Sequence, residues 1–147
     1  MISLNRSTYY RLVFLASIIS ILTAHSVFAF DSLGECGNTQ SKLYKPITEI
    51  QGVFTAAASD TDLASPIVDQ WVVVEAVVTE DKTQSYQGFW LQQEDQPSKS
   101  SRASRGIFVY HKKANIKRGQ RLRLLAQVVE YHGLTELKRV KALKVCA

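Results

Sequence analysis

The chain has 147 residues, a formal charge of +5 and 46% hydrophobic residues, which is enough for one globular domain and too little for two ordinary ones. Seven Gly, three Pro and 10% aromatics exclude a collagenous, low-complexity or disordered chain, so a packed core is expected. The basic balance favours an acidic partner, although net charge governs association and solubility rather than fold.

The first 29 residues read as a signal peptide. Arg6 and Arg11 form a positive n-region, Leu12 to Leu22 is an apolar run, and Val27-Phe28-Ala29 supplies the small residues that signal peptidase requires at −3 and −1. The run is shorter than the roughly 20 residues of a membrane span, and an uncleaved N-terminal anchor is the alternative. Cleavage after Ala29 leaves a single domain over residues 30–147, of 118 residues, exported to the periplasm or secreted, with His111 and His132 as its histidines. In an oxidising compartment, Cys36 near the start and Cys146 at the end favour a disulfide over two free thiols, and two cysteines are too few for a zinc site. No metal or cofactor is expected.

Charge is divided along the mature chain. Residues 30–98 carry three basic and eleven acidic side chains, and residues 99–147 carry thirteen basic and two acidic ones. Within one core this division gives either a basic surface facing away from an acidic one, or neutralisation between neighbouring strands.

Five strands are predicted: Trp71 to Thr79, Gly88 to Gln93, Gly106 to Tyr110, Arg121 to Tyr131 and Thr135 to Val145, each rich in β-branched or aromatic residues and bounded by turn residues. Ile47 to Gln51 is a candidate for a short sixth. Ala56 to Asp62 reads as a loop or a single helical turn, and Pro97 to Ser104 as a Ser-rich loop. Five short strands without long helices predict an all-β fold, a small OB-fold barrel with an N-terminal extension, more economically than a sandwich. His132-Gly133-Leu134 makes the last two strands antiparallel neighbours.

The order of Ile47-Thr48-Glu49-Ile50-Gln51-Gly52, Ser65-Pro66, Val72-Val73-Val74-Glu75, Gly88-Phe89-Trp90-Leu91-Gln92, Gly106-Ile107-Phe108-Val109-Tyr110 and Glu130-Tyr131-His132-Gly133-Leu134-Thr135-Glu136-Leu137 resembles the OB-fold domain of large secreted bacterial nucleases of the ExeM/NucH type. The resemblance covers Cys36 to Cys146. In those proteins the domain precedes an endonuclease/exonuclease/phosphatase catalytic domain, and the resemblance implies the fold, an export route and a role beside nucleic acid. This chain ends at Ala147, so the resemblance implies no catalytic activity.

The residues themselves argue against an enzyme. Glu80-Asp81 and Glu94-Asp95 are two acidic pairs that a two-metal phosphodiesterase would need to share. A hairpin of the first two strands sends them to opposite ends, roughly 20 Å apart at the rise of a strand. His111, flanked by Lys112 and Lys113, and His132, in a turn, have no acid and nucleophile at a readable spacing.

A binding surface is what remains. Strand parity turns Phe89, Leu91, Ile107 and Val109 into the barrel and Trp90, Phe108 and Tyr110 outward, onto the face where OB-folds stack bases. Alternatively, the segment from Phe30 to Phe54 covers these rings as a second apolar layer. Lys99, Arg102 and Arg105 lie in the loop between the two platform strands and Lys112 and Lys113 follow the third. Arg121 and Arg123, alternating with Leu122 and Leu124, point out of the barrel. These cations suit phosphates and specify no base. The expected function is a non-catalytic module for single-stranded DNA or RNA, accessory to a secreted nuclease. A protein-interaction or structural module without nucleic-acid binding is the alternative.

Overall fold

The computed structural model describes residues 32–52, 64–94 and 103–147, and the compact unit runs from Leu33 to Ala147. The first 29 residues, expected to be a signal peptide, the stretch from Ala56 to Asp62 and most of the Ser-rich loop lie outside the described residues. The fold is all-β with one short helix. Five strands, β1 (Trp71–Lys82), β2 (Gly88–Gln92), β3 (Gly106–Tyr110), β4 (Arg121–Tyr131) and β5 (Leu134–Cys146), close into a barrel in the order β1-β2-β3-β5-β4. All neighbours are antiparallel except β3 and β5, which pair in parallel at Phe108 with Glu136 and Val109 with Leu137.

The long strands serve two partners each. β1 pairs with β4 through Trp71–Val77 and with β2 through Val77–Lys82. The register slips between Val78 and Glu80, which adds the local bend that a closed barrel needs. β4 and β5 are joined by His132 and Gly133, both at positive φ (50° and 79°) between the closing pair Tyr131 and Leu134. Positive φ at both central positions matches the right-handed twist of the flanking strands.

The barrel interior follows the side-chain alternation of the strands. Val72, Val74, Ala76 and Val78 of β1 meet Phe89 and Leu91 of β2, Ile107 and Val109 of β3, Leu122, Leu124, Ala126 and Val128 of β4, and Leu137 of β5. Ile116, from the irregular segment between β3 and β4, enters the same core.

Ile47–Gln51, the candidate sixth strand, is instead the helix α1. Pro46 is extended and starts it, Gly52 at φ 71° ends it, and Ile47 and Ile50, three residues apart, share the buried face. The helix caps one end of the barrel. The Thr48 N–H donates to Gln93 Oε1 (3.2 Å) and the Gln51 side-chain amide to the Gly106 carbonyl (2.7 Å), fixing it to the far ends of β2 and β3.

Residues 33–45 form a strap over the outside of β1 and β4. Leu33, Val73 and Leu125 make a second, smaller core against which Leu43, Tyr44, Trp71 and Ala142 pack. Because β2 pairs with β1 only from Val77 onward, the edge of β1 at Val73 is free, and the strap takes it. Val73 N–H donates to the Leu43 carbonyl (2.7 Å) and Lys45 N–H to the Val73 carbonyl (3.0 Å). The expected disulfide is present: Cys36 and Cys146, 110 residues apart, join the strap to the end of β5 with their Cα atoms 5.8 Å apart.

Candidate functional site

The outer faces of β2, β3 and β5 form an open groove of about 640 Å³ lined by Tyr86, Trp90, Phe108, Tyr110, Tyr131, Leu134, Glu136 and Lys138. Its centre is the register pair Trp90 and Phe108, whose rings lie 5.4 Å apart and tilted by 59°, a geometry that edge-to-face attraction favours. Phe108 lies deepest because its ring sits against Gly88, where a Cβ would overlap both that ring and the Val109 carbonyl oxygen. Trp90 and Tyr110 are half-buried, and the Tyr110 hydroxyl donates to Gln87 Oε1 (2.7 Å), holding its ring along the rim.

Tyr86 and Tyr131 extend the aromatic surface and are the most exposed large side chains of the groove, at 68% and 53%. Their positions were missed in sequence: Tyr86 sits in the β1–β2 turn, where alternation carries no information. Tyr131 shares the outward parity of Arg121 and Arg123 at the far end of β4, a signal that could have found it. The segment from Phe30 to Phe54 is the alternative cover for these rings; its strap, residues 33–45, packs on β1 and β4 instead. Among the described residues the aromatic face stays open.

Lys138 crosses the groove. Its ammonium lies 3.9 Å from the Tyr131 ring centroid and 5.4 Å from that of Tyr110, and 2.6 Å from Glu136 Oε1. Lys112 also approaches the Tyr110 ring, at 5.8 Å, and Lys113, next in sequence, is exposed. Tyr110, His111, Lys112, Lys113, Lys138 and Arg139 line a shallow basic depression continuous with the groove. Burial pushes the His111 imidazole below its ordinary pKa, so it adds little charge to this rim near neutral pH. Arg105 is exposed immediately before β3, with its carbonyl accepting from the Gln93 N–H (2.9 Å). Lys99 and Arg102 lie outside the described residues.

Two of the expected phosphate-binding residues are on the other side of the barrel. Arg123 does point away from the interior, as alternation requires, but the strap covers it completely. Its guanidinium donates to the Leu33 carbonyl (2.6 Å), the Asn38 carbonyl (2.7 Å) and Glu75 Oε2 (2.9 Å), with the Tyr44 ring 5.7 Å away. No surface is left for a phosphate. Arg121 is partly exposed and held between Glu75 and Glu94. With Lys144 near Glu35 (3.5 Å), these pairs join the acidic first half to the basic second half. Neutralisation between neighbours thus operates on the strap side, and Lys112 and Lys113 stand exposed beside the groove.

The described members of the acidic pairs, Glu80, Asp81 and Glu94, have local partners. Asp81 accepts from the Thr83 N–H (2.9 Å) and hydroxyl (2.8 Å), which hold its carboxyl below the usual range, and Glu80 pairs with Lys82 at 2.7 Å. The β1–β2 register sets Glu80 opposite Trp90, leaving Glu94 beyond the other end of the hairpin with Arg121; Asp95 lies outside the described residues. Among the described residues, the one set of metal-type ligands that converges is Cys36, Glu75 and Cys146, and both of its sulfurs are consumed by the disulfide. No helix among the described residues is long and apolar enough to cross a membrane.

The chain matches no family model and no curated protein, so the functional reading rests on the geometry of its own residues.

Proposed function

We propose that this protein is an exported, non-catalytic OB-fold module that binds single-stranded nucleic acid in the groove of β2, β3 and β5. The barrel order, with its parallel β3–β5 contact, supports the OB-fold reading. The observation that carries the function is the aromatic surface itself: five rings stand outside a barrel whose interior is already filled, and above the buried Phe108 the described residues leave the other four at least partly exposed. Rings in that position stack unpaired bases at about 1 to 3 kcal/mol each, and a duplex keeps its base faces covered. Lys112, Lys113 and Arg105, with Lys99 and Arg102 of the β2–β3 loop, supply cations for the backbone without reading sequence. The disulfide and the leader-like N-terminus support export to the periplasm or beyond, and the resemblance to secreted nucleases supports an accessory role beside such an enzyme.

Fluorescence anisotropy with single-stranded and duplex DNA of equal length, repeated across salt concentrations, tests this. Tighter binding of the single strand, weakening linearly with the logarithm of salt, is expected. Undetectable binding of both forms at low salt overturns the reading and leaves the groove to a polypeptide partner.

A further inference from the structure

We infer that the groove discriminates among bases, and that Glu136 is the residue that reads them, favouring guanine. This rests on the reading of the groove as a nucleic-acid site and goes beyond it, since stacking and phosphate contacts alone are sequence-independent.

The argument begins with a carboxylate in an expensive place. Glu136 is 3% exposed and sits beside Phe108 across the parallel β3–β5 pairing, lining the groove. Its Oε1 is the single buried side-chain oxygen among the described residues that accepts no hydrogen bond. The Lys138 ammonium, 2.6 Å away, balances the charge without meeting hydrogen-bond geometry. Nearby Glu130 shows what a structural carboxylate looks like here: it accepts from the Ser65 N–H (2.8 Å) and the Thr135 hydroxyl. A buried carboxylate oxygen whose charge is balanced only by an ammonium on a flexible stem is exchangeable in a way that Glu130 is not, and its position beside Phe108 in the groove lining suits a donor carried by a stacked ligand.

A carboxylate accepts and cannot donate, so it selects bases by their N–H groups. Guanine offers two adjacent donors, N1–H and the N2 amino group, which match the two oxygens of one carboxylate. Cytosine and adenine offer one amino group beside a ring lone pair that repels the carboxylate, and thymine and uracil offer one N–H between two carbonyl oxygens. Lys138 makes room for the base. Its ammonium, on a flexible stem across Tyr131 and Tyr110, leaves the ring faces for a backbone phosphate when the base takes its place, and Glu136 exchanges an ion pair for two hydrogen bonds.

The test uses thymidine undecamers with guanine, hypoxanthine (inosine) or thymine at the centre, titrated against the full-length mature protein. The guanine strand is expected to bind at least about five-fold more tightly than the all-thymine strand, the scale of one bidentate base contact. The inosine strand, which lacks the N2 amino group, should fall between them. Glu136→Gln should bring the guanine-to-thymine ratio close to one, and because the inosine arm changes only the ligand, the comparison stands whether or not that variant folds. Equal affinity for the three strands, with binding that Trp90→Ala still weakens, overturns the guanine reading and leaves the stacking platform in place. Failure of all three strands to bind at low salt removes the platform together with it.

Discussion

The two outer faces of the barrel are built by the same alternation and end in opposite states. On β1 and β4, outward-pointing Val73, Arg123 and Leu125 are covered by the strap, and β4 is buried on both faces from Leu122 to Val128. On β2, β3 and β5, outward-pointing Trp90, Tyr110 and Lys138 keep part of their surface in water. Among the described residues, the strap lies over the first face and no segment lies over the second. The contacts of the covered face serve stability, and the exposed face is the one on which the proposed binding rests. Substitutions should separate the two: on the strap side they should change folding and spare binding, and in the groove they should do the reverse.

The largest effect is expected from the disulfide. Closing a loop of this length stabilises a fold by about 4 to 5 kcal/mol in the chain-entropy model. Cys36→Ser combined with Cys146→Ser should lower the denaturation free energy by that order and release the strap to proteolysis. A denaturation midpoint equal to wild type would show that the strap is held by its contacts alone. Arg123→Met comes next, at about 3 to 5 kcal/mol, because removing one partner leaves Glu75 half-paired and the Leu33 and Asn38 carbonyls without their donor. Thermal melts measure it. A loss below about 1 kcal/mol would mean that the strap does not depend on this buried charge.

Much of the barrel was legible because a strand has a period of two, and each of β1 to β5 repeats it long enough to be read. The inward set of Phe89, Leu91, Ile107 and Val109 and the outward set of Trp90, Phe108 and Tyr110 followed from parity alone, and the terminal placement of Cys36 and Cys146 pointed to their bond. Parity tells which side of a strand a residue is on; it is silent about what lies over that side. Arg123 was read as a surface cation for that reason, since its cover comes from Leu33 and Asn38, some 90 positions earlier. Ile47–Gln51 was too short for either period to dominate, and Pro46 with two isoleucines three apart decided for a helix. Glu136 was read as one of two acids in a basic half. Only the parallel pairing with β3, a contact between segments separated by β4, brings it under the aromatic rings.

On the open face, Trp90→Ala should weaken single-strand binding by about 1 to 3 kcal/mol and leave the salt slope unchanged, because stacking releases no counterions. Lys113→Ala should lower the slope by up to roughly one per lost phosphate contact, with a smaller loss of affinity at moderate salt. Both should melt near wild type, Trp90 because its ring is only half-buried and Lys113 because it is exposed. A folded Trp90→Ala protein that binds as well as wild type would break the contrast between the faces, and one that loses several kcal/mol of stability would make Trp90 a core residue.

The smallest effect is a pH dependence at the edge of the groove. Burial beside β3 disfavours the charged imidazole of His111 and lowers its pKa from the ordinary 6.5. In the unfolded chain the same histidine takes up a proton as pH falls through 6.5, whereas the folded protein does so only at lower pH. Between those points the unfolded state holds more protons, so stability is full above pH 6.5 and declines as pH drops. His111→Gln should flatten this part of the profile, and an NMR titration of the wild-type imidazole should show its midpoint below 6.5. The neighbours Lys112, Lys113 and Lys138 give the direction a second use, because a polyanion laid along the same rim would favour the protonated ring. Bound oligonucleotide should therefore move the midpoint upward, whereas a midpoint unmoved by saturating single strand would place the backbone away from His111.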